Sequence, residues 1–334
     1  MKKVLITGGA GFIGSHLAQR LREQGRSVVL VDDLSTGRRT NIEPLLGEGC
    51  TLVEARASQA VRDPALMRGV GQVYHLAAAV GVKQVVDDPT AMIRNNVDET
   101  AAVLEAACRA GAAVLIASSS EVYGKCPVTP LRETMDLVYG PTTASRWSYG
   151  LSKALDEHLA LDAHRRHGLP VAIVRLFNTI GPRQVGRYGM VVPRFVAWAV
   201  RNEPIQVHGD GRQTRAFCDV RDVVRAMVQL LDSPACHGQV FNLGSDRSIT
   251  IDELADQVIA LAGSTAGKRF VPYERVYGQG FEDPRQRLPD ISKIRQAIGF
   301  EPCIGLEQTL SELIELERAN LGAAPSLKGG EAIG

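Results

Sequence analysis

Thr7-Gly8-Gly9-Ala10-Gly11-Phe12-Ile13-Gly14 is the stretch whose reading decides the fold. It follows the apolar run Val4-Leu5-Ile6 and opens an amphipathic segment, Phe12–Gln24, which Gly25 closes. Glycines at 8, 11 and 14 let a strand turn tightly into a helix, and let the backbone approach a pyrophosphate at the helix N-terminus. Asp32 ends the next apolar run, Ser27–Asp32. A carboxylate there accepts hydrogen bonds from an adenosine ribose and repels a 2′-phosphate, so the pattern points to NAD. Arg38 and Arg39 pull towards NADP, because a nearby guanidinium suits that phosphate.

Further strand-like runs follow at Thr51–Glu54, Gln72–Leu76, Ala113–Ser118 and Pro170–Phe177, the last ending at Asn178. Between them lie helical patterns, Pro89–Ala110 and about Arg146–His167. Asp88 before Pro89 is a cap followed by proline at the first helical position, and Gly111 is a stop. Strand–helix alternation of this kind predicts an α/β fold, a Rossmann-type doubly wound parallel sheet. After Gly181-Pro182-Arg183 the elements shorten. Thr250-Ile251-Asp252-Glu253 is a capping box opening a helix to Ala262, and Leu306–Arg318 reads as a last helix. The expected organisation is an NAD-binding domain over residues 1–180, a smaller substrate-binding lobe over 181–321 with some return to the main sheet, and a disordered tail over 322–334.

The bulk numbers set bounds. Of 334 residues, 45% are hydrophobic and 22% charged, ordinary globular composition. Lys+Arg is 38 and Asp+Glu 37, a net charge of +1, so no global field recruits nucleic acid or an anionic membrane. The cysteines at 50, 108, 126, 218, 236 and 303 show no paired short spacing. That argues against a zinc site or a disulfide framework and for reduced thiols in the cytoplasm. No apolar segment reaches transmembrane length, and Met1–Thr7 reads as a first strand rather than a leader.

Tyr149 and Lys153 stand four residues apart, on one face of a helix. A nearby ammonium and a nicotinamide cation favour phenolate, which makes Tyr149 a proton acceptor for a sugar hydroxyl. Alone, the pair reads as a surface feature. Upstream, however, Val114-Leu115-Ile116-Ala117 runs into Ser118-Ser119-Ser120-Glu121, and polar residues at a strand's C-terminal end face the ligand crevice of an open sheet.

With these motifs, His75-Leu76-Ala77-Ala78, Asn96-Val97, Arg175-Leu176-Phe177-Asn178 and the Gly209–Phe217 run, the chain resembles the extended short-chain dehydrogenase/reductase superfamily. Within it, it resembles the NAD-dependent nucleotide-sugar epimerase, dehydratase and decarboxylase group, from Lys3 to about Arg318. The resemblance implies NAD held by Gly8, Gly11, Phe12, Ile13, Gly14, Asp32, Leu76, Ala77, Ala78 and Asn96, with Tyr149 and Lys153. It implies catalysis by Ser119, Ser120, Glu121, Tyr149, Lys153 and Arg287. It places a nucleotide sugar, UDP-linked, on Lys83, Asn178, Arg183, Val192, Arg215 and Arg287, in a homodimer with no metal. Apolar residues on more than one face of the two long helices also point to a dimer. One departure is Glu54-Ala55-Arg56, where many relatives carry Asp as an adenine contact.

Members of the group share oxidation of the sugar C4. Dehydratases typically carry Asp-Glu after the catalytic Ser/Thr, whereas this chain has Ser120-Glu121, which resembles UDP-glucuronate decarboxylases. So does Glu282–Ile291, in which Arg287 falls on a substrate-site arginine; the plain alternative is a surface pair of Arg287 with Glu282 or Asp283. Ala79-Val80-Gly81-Val82-Lys83 resembles 4-epimerases instead. Decarboxylation of UDP-glucuronate is the leading expectation, followed by 4-epimerisation of UDP-glucose or UDP-glucuronate, then 4,6-dehydration. A non-catalytic NAD-binding sensor comes last.

Overall fold

The computed structural model describes residues 3–79, 88–186, 190–277 and 284–323. Its main sheet is built from β1 (Lys3–Thr7), β2 (Val28–Asp32), β3 (Cys50–Glu54), β4 (Val70–His75), β5 (Ala113–Ser119) and β6 (Val171–Leu176). Short strands β7 (Asn178–Ile180), β8 (Ile205–His208) and β9 (Thr214–Asp219) follow. Then β10 (Gln239–Leu243) returns to the main sheet as its seventh strand, in the order β10-β6-β5-β4-β1-β2-β3. Every neighbouring pair is parallel. The order reverses between β1 and β4, which opens a crevice at the C-terminal ends of these strands.

A parallel sheet is covered on both faces, and the strands are apolar throughout for that reason. Val4 and Ile6 pack under the Phe12–Glu23 and Val220–Asp232 helices through Leu17, Leu21, Val223 and Met227. Leu5, Val73 and Ile116 face the other way, onto Val103 and Ala107 of the Pro89–Ala110 helix and Ala160 of the Ser148–His167 helix. Burying one such side chain fully contributes about 1.5–3 kcal/mol. The two packed faces of the sheet, rather than the glycine turn, therefore hold the crevice in shape.

The remaining strands, β11 (Ser248–Thr250), β12 (Lys268–Val271) and β13 (Gln286–Arg287), belong to the second lobe. There β9 is the hub, pairing with β7, β11 and β13, while β8 pairs with β12. Val192, Phe195, Leu254, Val258, Leu310 and Ile314 form the lobe's own core.

Local signals place most boundaries. Asp88 accepts the Ala91 N–H, Gly111 closes that helix left-handed, and Thr250 and Glu253 form the reciprocal box. Several strand ends shift by one or two residues, and two helix boundaries differ more clearly from expectation. The Tyr149 helix begins at Ser148 after a tight 3₁₀ turn, Ser145–Trp147. The last helix runs Leu306–Ala323, past Gly322, where the tail was expected to begin. Leu310 and Ile314 anchor it in the lobe core, and Ala319 and Leu321, both good helix formers, carry it past Arg318 despite Asn320 and Gly322.

Candidate active site

The crevice is a cleft of about 620 Å³ between sheet and lobe. At one end the glycine turn leads straight into the Phe12–Glu23 helix, whose N-terminus carries no side-chain cap. A Cβ on Gly14 would lie 2.1 Å from the Gly8 carbonyl oxygen, so only glycine lets turn and helix close there. The uncapped N–H groups suit the pyrophosphate of a dinucleotide. The buried Asp32 carboxylate accepts the Ala10 and Leu34 N–H groups at 2.9 Å each. Burial pushes its pKa up, against those backbone hydrogen bonds. Arg38 and Arg39 stay off the cleft wall; Arg39 pairs with Glu54 at 3.8 Å.

Leu76, Ala77 and Ala78 line the same end, together with Gly8, Gly11, Phe12, Ile13, Gly14 and Asp32. Asn96 stands behind that wall. It is buried, accepts the Ala79 N–H at 2.8 Å and donates to Ser152 at 3.1 Å. It shapes the loop rather than facing the cavity. Arg56 does line the cleft, where its Nε meets Glu99 at 3.0 Å and its guanidinium donates to Asn95. Glu99 also accepts the Ser58 N–H at 2.5 Å, so a charged network occupies the place where the family resemblance led to an expected Asp.

At the centre, β5 delivers Ser119, Ser120 and Glu121 to the cleft, and the Ser148–His167 helix delivers Tyr149 and Lys153. Gly150 allows this approach, since a Cβ there would sit 2.4 Å from the Glu121 carbonyl oxygen. The Tyr149 phenol is hydrogen-bonded to Ser119, yet burial first and the Glu121 and Asp156 charges next raise its pKa. Lys153 gives its ammonium to the fully buried Asp156 at 3.1 Å. Ser118 faces away from these groups, donating to Glu157 at 2.5 Å.

Glu121 is gripped from two sides. Arg287, on β13 of the lobe, reaches Oε1 at 2.6 Å, and Arg146, in the 3₁₀ turn, reaches Oε2 at 2.7 Å. Burial favours the neutral acid, but the two guanidinium groups outweigh it and hold the pKa down at about 2. Arg287 is thus buried at the heart of the cleft and paired with Glu121, 166 residues away. Glu282, Asp283 and Lys83 lie outside the described residues.

Asn178, Val192 and Arg215 line the lobe side. Arg183 does not; its backbone is left-handed, at φ 68°, and its side chain donates to Gln19 at 2.7 Å. Sequence reasoning missed Gln206, His208, Gln213 and Tyr273 on this wall. They fall on short lobe elements without a periodic signal. The sequence marks Arg146 only as the approximate start of a helix; its place three residues before Tyr149 was the available clue.

A family model described as "NAD dependent epimerase/dehydratase family" matches residues 4–244. The chain belongs to the NAD-dependent epimerase/dehydratase family. Among curated members, it is similar to a UDP-N-acetyl-alpha-D-glucosaminuronate decarboxylase of Bacillus cytotoxicus, 39% identical over 94% of this chain and 97% of that protein. It is also similar to UDP-glucuronic acid decarboxylase 1 of Arabidopsis thaliana, 37% identical over 93% of this chain and 69% of that protein. Among solved members, the UDP-glucose 4-epimerase of Thermotoga maritima with UDP-glucose superposes with a TM-score of 0.85 at 30% identity, covering 96% of this chain and 99% of that one. NAD is the cofactor of this family, and the glycine cradle and Asp32 fit it. No helix among the described residues is long and apolar enough to cross a membrane.

Proposed function

We propose that this protein decarboxylates a UDP-linked hexuronate, either UDP-glucuronate or its 2-acetamido counterpart. One observation carries the reading: two arginines, the buried Arg287 and the part-buried Arg146, share a single carboxylate, Glu121, beside Ser119 and Tyr149. Among the described residues, two cations on one anion leave a positive charge over, and an arginine fork matches a carboxylate. The decarboxylases among its relatives support the same reading. The sugar and nucleotide would lie against Asn178, Val192 and Arg215.

NAD held in this cradle would supply the acceptor for the sugar C4 hydride and its return at the end. Ser119 orients the C4 hydroxyl and Tyr149 takes its proton. Lys153, anchored by Asp156, is placed to hold the nicotinamide ribose and adds positive charge that favours the phenolate. With C4 at the ketone level, the C5 carboxylate is that of a β-keto acid. The bond from C5 to the carboxyl carbon breaks, CO2 leaves, and the electron pair enters the C4–C5 enolate, which takes a proton at C5. Arg287 holds the carboxylate until that bond breaks.

Incubation with UDP-glucuronate, UDP-N-acetylglucosaminuronate and UDP-glucose, with products read by mass, tests the reaction. Loss of CO2 from a uronate is expected. Unchanged mass with inversion at C4 would replace this reading with 4-epimerisation, and loss of water with dehydration. In this reading the enzyme works in the cytoplasm as a homodimer, joined where Leu151, Leu155 and Leu159 form an exposed apolar stripe. A monomer in sedimentation at micromolar concentration would refute the dimer.

A further inference from the structure

The three charges around Glu121 are not equivalent. Arg146 and Glu121 sit on the same wall of the cleft, on the turn before the Tyr149 helix and at the end of β5. The Arg146 guanidinium lies 5.5 Å from the ring centre of Trp147, which is itself buried, so its position is braced. Arg287 comes from the opposite wall, on a two-residue strand paired to β9 beside Arg215. A substrate carboxylate entering between the walls competes with Glu121 for Arg287. If Arg287 were the sole counter-charge, that exchange would strand a buried carboxylate, and breaking a buried pair in this way costs about 3–5 kcal/mol.

We propose that Arg146 is a positioning residue that keeps Glu121 paired through Oε2, so that Arg287 is free to leave Oε1 for the substrate's carboxylate. The inference rests on the hexuronate reading. Among the described residues, two guanidinium groups and one carboxylate carry a net positive charge, which a substrate carboxylate would neutralise. Loss of CO2 removes the competitor, and Arg287 returns to Glu121.

Among the described residues, the groups facing Glu121 are Arg287 from the lobe, Arg146 from the 3₁₀ turn, Tyr149 from the helix and Tyr139 from the preceding loop. Burial raises both phenols, so neither supplies charge at neutral pH. Removing Arg146 leaves burial opposed by Arg287 alone, and Glu121 should then titrate in an accessible range. At high pH the ionised Glu121 would keep Arg287 for itself; at low pH the neutral acid would release it.

The test measures binding of UDP-glucuronate and of UDP-glucose, which lacks the carboxylate, to NAD-loaded enzyme carrying Tyr149→Phe to block turnover. Adding Arg146→Gln should weaken UDP-glucuronate roughly tenfold or more near pH 8, and less near pH 5, with UDP-glucose unmoved. Arg146→Lys should restore a flat pH profile. Adding Glu121→Gln to the Arg146→Gln background should restore uronate binding, because nothing is then left to hold Arg287. Arg146→Met, which keeps the stem against Trp147, serves if the glutamine variant does not fold. Equal losses for both ligands, a pH-independent loss, or no recovery with Glu121→Gln would each overturn the proposal. If the Tyr149→Phe parent itself shows no preference for UDP-glucuronate over UDP-glucose, the hexuronate reading fails first, and this proposal with it.

Discussion

Two carboxylates lie near the C-terminal end of β5, Glu157 on the Ser148–His167 helix and Glu121 in the turn after the strand, and their surroundings differ in one respect. Glu157 accepts Arg175 in a fork, Nε at 2.9 Å and Nη2 at 2.7 Å, and takes the Ser118 hydroxyl as well. One cation meets one anion, both buried, and the charge closes to neutral. Glu121 meets two arginines and faces the cleft, so a positive charge remains. The first arrangement is complete and structural. Among the described residues the second lacks one balancing anion, which is what the proposed hexuronate would supply.

The comparison breaks most visibly at Glu157. Glu157→Gln leaves Arg175 buried with its charge uncompensated, and should destabilise the fold by about 3–5 kcal/mol in urea unfolding. Turnover per folded molecule should change little. If turnover collapses while stability holds, the two sites are not divided in this way.

Acid sharpens the contrast. Glu121 has a folded pKa of about 2, below its ordinary 4.5, so its contribution to stability is present above pH 4.5 and is lost as pH falls towards 2. That contribution is about 3 kcal/mol at full ionisation. The stability difference between the native protein and Glu121→Gln should therefore narrow over that window.

Arg287→Ala should lower kcat/KM for the uronate by about 1.5–3 kcal/mol, roughly ten- to a hundredfold, because it removes a charged hydrogen bond to the substrate. A surface pair would lose about 1 kcal/mol at most. The smallest effect belongs to such a pair, Arg39 with Glu54, both more than half exposed at 3.8 Å. Arg39→Ala should shift stability by less than about 1 kcal/mol and leave NAD affinity, read by fluorescence titration, unchanged.

The parts legible in the sequence obey local rules. The glycine run, Asp32, the Pro89–Ala110 helix with its proline and glycine punctuation, and the capping box at Thr250 each depend on neighbours within a turn or two. Tyr149 and Lys153 were legible because four-residue spacing on a helix fixes a common face. Arg146 was not, since its reach to Glu121 depends on the 3₁₀ turn that precedes the helix. Arg183 was assigned to the substrate side, but its left-handed backbone turns the side chain to Gln19. Asn96 was assigned to the cofactor, yet its amide is taken up holding Ala79 and Ser152.

The return of β10 has a consequence for how the chain can be cut. Ala172–Leu176 pair with Gln239–Leu243, residues that arrive only after the lobe's first strands and helices have been laid down. A fragment stopped near residue 180 would expose the N–H and C=O groups of β6 as a raw sheet edge, open to pairing with another molecule. The smallest soluble fragment that binds the dinucleotide must therefore carry the chain through Leu243, and a lobe exchanged between relatives must leave that strand behind.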